Sequence, residues 1–242
     1  YKEVILNLRY SGYAPDIEYR LKTYQGQAHT ALGELDRAVA AYRDAQRIDS
    51  IAPEPLAGEA LVLLLQGSVE LARTKARVAT ERDPKSPVAW QALAAVSHAV
   101  GDLNAAVEEY GLALSFEPDH IEARLARATI LMDLGRDDEA DADIENVRKN
   151  APFEPRATYL KSVLLKKSGD RKQAKALMSE TAQLLNAVSD DLIASEVSLQ
   201  LLGGLANFSL EAYEQAEGYL NQFLANRPQD QGARRMLASI FL

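Results

Sequence analysis

The chain has 242 residues, of which 47% are hydrophobic and 26% charged, the balance of a folded chain with a substantial core. Its formal net charge is −8, which argues against nucleic acid as a partner, because phosphate binding needs a basic surface. There is no cysteine, which excludes disulfides, thiolate zinc sites and cysteine nucleophiles, and no apolar run approaches the roughly 18 residues of a transmembrane segment. Alanine and leucine dominate over β-branched and aromatic residues, which favours helix. The chain starts at Tyr1 with neither a methionine nor a signal-like stretch and is read as a piece of a longer protein.

Residues 1–18 read as the second helix of a hairpin whose first is missing, closing at Pro15. Beyond them a repeat governs the chain. Gly33, Gly67, Gly101, Gly135 and Gly169 stand 34 residues apart, and Ala38, Ala72, Ala106, Ala140 and Ala174 keep the same register. Tyr42, Tyr110, Ile144 and Met178 follow four residues later; Pro84, Pro118 and Pro152 close three of the units, with Ser50 and Asn186 in their place in the first and fifth. This divides the chain into copies at 19–52, 53–86, 87–120, 121–154 and 155–188, an insertion at 189–196, and a sixth copy at 197–230 in which Glu211 replaces the glycine. Residues 231–242 read as a first helix without its second.

The copy from Pro87 to His120, with Trp90, Leu93, Ala106, Tyr110 and Pro118, resembles the tetratricopeptide repeat, a 34-residue helix–turn–helix. The resemblance implies an all-α fold, a right-handed superhelical solenoid whose first helices line a concave face. The turn glycine suits a left-handed cap, Asp102 and Asp170 can open the helices behind it, and proline at position 32 stops the second helix. In the first helix, positions 4, 7, 8 and 11 are expected to carry the small and apolar packing residues. Position 8 (Gly26, Ala60, Ala94, Ala128, Ser162, Gly204) and the invariable alanine at position 20 let the two helices approach closely. A single hairpin buries too little to stand alone, so the copies must stack. The unpaired ends are expected to self-associate.

Positions 5, 9 and 12 of the first helices flank that stripe and are expected to face a partner. The candidate groove residues are Gln27, then Leu61 and Leu64, then Gln91, Ala95 and His98. They continue with Leu125, Thr129 and Met132, then Tyr159, Val163 and Lys166, then Leu201, Leu205 and Phe208. Chaperone-binding relatives of the family grip a C-terminal carboxylate with lysine, asparagine and arginine on consecutive first helices. Those positions hold no asparagine here, so an amphipathic helix or apolar peptide fits better. The alternative use of these side chains is packing between repeats.

Charge is unevenly spread. Copy 87–120 has five acids and no Lys or Arg; copy 121–154 has nine acids against five bases; copy 155–188 has seven bases against two acids. Either this is a bipolar docking surface or neighbouring copies neutralise one another, and the second reading is preferred. The acids from Asp137 to Asp143 lack the glycine of a calcium loop. His29, His98 and His120 have no metal spacing, and Asn207-Phe208-Ser209 is a formal glycosylation sequon at a packed position. No catalytic residue, cofactor or metal is expected, so the chain reads as a binding scaffold for a protein or peptide rather than an enzyme.

Tyr213–Ala225 and Ala233–Ala238 look like the later repeats of a bacterial tetratricopeptide lipoprotein that accompanies exosortase/PEP-CTERM sorting and exopolysaccharide systems. That likeness implies a cell-envelope location. The rival readings are a cytoplasmic adaptor or co-chaperone and the recognition arm of a larger enzyme.

Overall fold

A computed structural model describes residues 15–241. The expected helix over 1–18 lies outside the described residues except for its last four, which form the first turn of α1. Among the described residues there are fourteen helices and no strand: α1 (Pro15–Ala31), α2 (Leu35–Ile48), α3 (Glu54–Leu65), α4 (Val69–Arg82), α5 (Pro87–Ala99), α6 (Leu103–Phe116), α7 (Ile121–Asp133), α8 (Asp137–Asn150), α9 (Pro155–Ser168), α10 (Arg171–Asn186), α11 (Asp190–Ser195), α12 (Val197–Ser209), α13 (Tyr213–Asn226) and α14 (Gln231–Ile240).

The chain forms two compact units, Tyr1–Ile130 and Leu131–Leu242, with the division inside α7. In the first, α1–α2, α3–α4 and α5–α6 are antiparallel hairpins, and each first helix packs on the next first helix. In the second, α9–α10 and α12–α13 are hairpins, α8 lies on α9, and α14 lies on α13.

The turns explain the glycine register. Gly33, Gly67, Gly101, Gly135 and Gly169 have φ between 72° and 96°, a region open to glycine at little cost. At Gly101 the following amide, Asp102 N, donates to Ser97 O at 2.9 Å while Gly101 N donates to His98 O, which satisfies the carbonyls at the end of α5. Asp102 and Asp170 then cap α6 and α10, accepting from Ala105 N and Gln173 N at 3.2 and 3.0 Å. The sixth turn repeats these bonds with Glu211 at φ 63°, the one non-glycine residue of positive φ among the described residues.

Proline ends the second helices as expected: α4, α6 and α8 each stop two residues before Pro84, Pro118 and Pro152. With Asn186 in that place, α10 runs on through it to 16 residues, against 14 for the others. Trp90 Nε1 and Arg124 Nε, both at position 4, return to these corners by donating to the carbonyls of Pro84 and Pro118 at 2.8 and 2.7 Å.

Close approach within the hairpins follows from the small residue at position 8, which in three copies is seen against a large residue at position 24. A Cβ on Gly26 would lie 2.6 Å from the Tyr42 ring, and one on Gly204 would lie 2.6 Å from Leu220. Ser162 meets Met178 at the same place. The alanines of position 20 are buried in every copy. The insertion at 189–196 folds as α11, capped by Ser189, whose Oγ accepts from Leu192 N. Buried Gln200 holds it in place: its Nε2 donates to Ile193 O and Ala194 O, both at 3.0 Å, while its Oε1 accepts from Asn226 Nδ2.

Candidate partner-binding faces

One expectation is corrected at position 7, which is not an apolar packing position throughout. It carries Gln25, Glu59, Leu93, Arg127, Lys161 and Gly203. Glu59 on α3 is fully buried and takes three donors: Arg43 Nε at 2.9 Å and Gln46 Nε2 at 2.8 Å from α2, and Lys75 Nζ at 2.7 Å from α4. Burial pushes its carboxyl pKa up, but the bonds from Lys75, Gln46 and Arg43 outweigh this and leave it below the ordinary value. In the second unit the same position holds Lys161, which pairs with Asp141 at 2.5 Å and Glu145 at 2.9 Å on α8. Glu59–Arg43 and Lys161–Glu145 both join residues 16 apart, with the signs exchanged. The position sits where one hairpin meets its predecessor, and in both cases the charge there is met by an opposite charge one element back, with Lys75 on the following helix adding to it for Glu59.

The acidic face of α8 is therefore occupied. Asp137 pairs with Lys167 at 2.7 Å, Asp141 and Glu145 with Lys161, and Glu139 with Arg136. Lys161 and Lys167 of copy 155–188 thus neutralise acids of the copy before it, which is the preferred of the two charge readings for this part of the surface. No three His, Asp or Glu side chains are gathered for a metal among the described residues. Asn207 of the formal sequon is buried and donates to Gly203 O at 2.9 Å.

The candidate groove residues divide between packing and exposure. In the first unit Leu61 and Leu64 come together, half-buried, on one core cluster with Ala57, Ala60 and Ala92. Leu125 is buried outright, Gln91 and Ala95 are half-buried, and Gln27, His98 and Thr129 are exposed. In the second unit Tyr159 joins a cluster with Leu185, Ile193 and Leu202, while Leu201 joins a different one with Leu220 and Phe223. Met132, Val163 and Leu205 are half-buried and Lys166 is exposed. Phe208 meets Tyr213 edge-on at 5.9 Å. Within the first unit Leu61 and Leu64 are thus packed on one side and exposed on the other, with Gln27, His98 and Thr129 exposed along the same helix positions, while Leu125 is taken up by packing.

A feature that the repeat frame did not show lies in the second unit around the α9–α10 turn. A cavity of about 170 Å³ is lined by Ser162, Lys166, Arg171, Ala174, Lys175, Met178 and Ser209. Its sequence signal was the base-rich run of copy 155–188.

Family models described as tetratricopeptide repeat match residues 25–87 and 98–164, together more than half the chain. The chain belongs to the tetratricopeptide-repeat family. Among similar proteins, the mouse DnaJ homolog subfamily C member 3 is 31% identical over 104 residues, 43% of this chain. The chain spans about a fifth of the length of the curated relatives it matches. Among solved structures, Pseudomonas aeruginosa PilF superposes with TM-score 0.65 at 16% identity, over 93% of this chain and 99% of that one. YrrB, described as a tetratricopeptide-repeat protein with an unusual peptide-binding site, gives TM-score 0.52 at 20% identity over 68% and 84%. These structures share the fold.

Proposed function

We propose that this tetratricopeptide-repeat chain is a non-catalytic scaffold that holds a peptide or partner helix against its first helices. The tetratricopeptide fold supports protein–protein interaction as the general role. The observation that carries the finer reading is the half-exposed apolar row with exposed Gln27, His98 and Thr129 beside it, a surface suited to the spaced anchors of an amphipathic segment. Selection of dodecamer peptides from a displayed library, followed by binding measurements on variants, tests it. Thr129→Arg and His98→Arg place bulk on exposed positions at no cost to the core. Each is expected to weaken the selected apolar peptides at least tenfold in a chain of unchanged helicity, and undiminished binding by both variants would overturn the groove.

The envelope reading, with a part in exopolysaccharide or protein-sorting assembly, is supported by the wording of Tyr213–Ala225 and Ala233–Ala238. The adaptor or co-chaperone reading is supported by the stretch shared with the DnaJ homolog. Fractionation of the native host separates them: recovery with the envelope favours the first, recovery in the soluble fraction the second.

A further inference from the structure

The bases of copy 155–188 fall into two sets. Lys161 and Lys167 are committed to the acids of α8. Lys166, Arg171 and Lys175 pair with no acid among the described residues, and all three line the cavity at the α9–α10 turn. Arg171 and Lys175 stand one helical turn apart on α10, and Lys166 approaches from the last turn of α9, so three cations are held at one mouth against their mutual repulsion. The one acid close in sequence, Asp170, is engaged as the cap of α10, accepting from Gln173 N.

The interior is built as well as charged. Ser162 is 1% exposed, and its hydroxyl has only the Met178 sulfur, at 3.9 Å, as acceptor, which is a weak partner for a buried donor. Ser209 brings a second hydroxyl from α12, and Ala174 and Met178 form an apolar floor. Cations at the rim, a hydroxyl donor inside and an apolar floor together match a carboxylate on a short hydrocarbon stem.

We propose that this cavity is an anchor for an aspartate or glutamate side chain of a bound protein segment, a step that rests on the scaffold reading above. A nucleic acid fits the surroundings worse. Its charges run on every 1.7 Å or so along the axis, past the local basic patch and into the field of a chain with net charge −8. A short acidic peptide feels chiefly the charges within about 10 Å of it, and at this mouth those include Lys166, Arg171 and Lys175.

The test is fluorescence anisotropy of labelled octaglutamate at low salt, with octaglutamine as the neutral probe. Octaglutamate is expected to bind, weakening with salt, and octaglutamine to fail. Arg171→Glu/Lys175→Glu should weaken octaglutamate at least tenfold. Lys149→Glu/Arg227→Glu, the same charge change at two exposed positions elsewhere in the unit, should leave it within threefold. Equal loss in both double variants would overturn the site in favour of diffuse charge. Displacement of octaglutamate by inorganic phosphate at comparable concentration, or tighter binding of an oligothymidylate, would overturn the side-chain assignment. Uncharged peptides selected on the groove should bind the Arg171→Glu/Lys175→Glu chain unchanged, so failure of the anchor and failure of the groove are separate results.

Discussion

Glu211 shows what a single residue costs a repeat that otherwise keeps its rules. The turn geometry is dictated by the two amides that must reach the end of α12: Glu211 N donates to Phe208 O and Ala212 N to Asn207 O, the pair of bonds also made at the Gly33, Gly67, Gly101 and Gly135 turns. A residue with a Cβ pays about 1–2 kcal/mol to occupy the left-handed region. Glu211 is exposed and takes part in no ion pair among the described residues, so no charge partner offsets that strain. Glu211→Gly is therefore expected to stabilise the second unit by about 1 kcal/mol, less what glycine adds to the entropy of the unfolded chain. Urea unfolding followed by circular dichroism checks this, and a midpoint lowered by the substitution would show that Glu211 makes a contribution the backbone does not explain.

Between elements, the decisive position is the seventh of the first helix. Glu59 has no water to fall back on, whereas its partner Arg43 is 57% exposed. The two ends of this pair should therefore respond differently. Glu59→Ala leaves Lys75 and Gln46 without their acceptor and is expected to cost about 3 kcal/mol, while Arg43→Ala, whose charge is largely solvated, should cost less than about 1 kcal/mol. Equal losses in thermal unfolding would mean that the network is not organised around the carboxylate. This network also marks the limit of what the sequence alone conveys. Local constraints were legible because they act within a few residues: positive φ at the glycines, the caps at Asp102 and Asp170, and the proline stops. The alanines of position 20 were legible from periodicity. Glu59, Lys161 and the cavity at Lys166, Arg171 and Lys175 were not, because a charge at a helix position reads as solvated until the element packed against it is known. Gln200 was hidden for the same reason, since the inserted α11 that it holds follows no repeat. Within the row proposed as a groove, which apolar members are taken up by core packing, as Leu125 is, and which stay half-exposed, as Leu61 and Leu64 do, depends on packing between helices that periodicity does not resolve.

Across the whole molecule, these local environments set the pH range over which it stays folded. On the acid side, Glu59 in the first unit and Glu145 and Glu154 in the second lie below the ordinary carboxylate value, burial being outweighed in each by bonds to Lys75, Lys161 and Arg156 respectively. A depressed folded pKa gives stability that is present above the unfolded value of about 4.5 and is lost as pH falls through the folded one. Glu109 runs the other way: burial and its neighbours Asp102 and Glu108 raise it, so protonation there favours the folded form and blunts the acid loss in the first unit. On the alkaline side, burial pushes Tyr110 up from 10.0 to about 12, with the nearby Glu109 adding to the shift. The unfolded chain therefore releases this proton first, and stability falls from about pH 10 until the folded tyrosine also ionises. The slope from this one group approaches about 1.4 kcal/mol per pH unit. Tyr110→Phe keeps the ring that fills position 24 and removes the proton. Wild type and variant should have urea midpoints that differ little at pH 8, and the variant should hold the higher midpoint at pH 11. Parallel decline of the two would show that the alkaline limit is set elsewhere, for instance by loss of the Lys161 charge against Asp141 and Glu145.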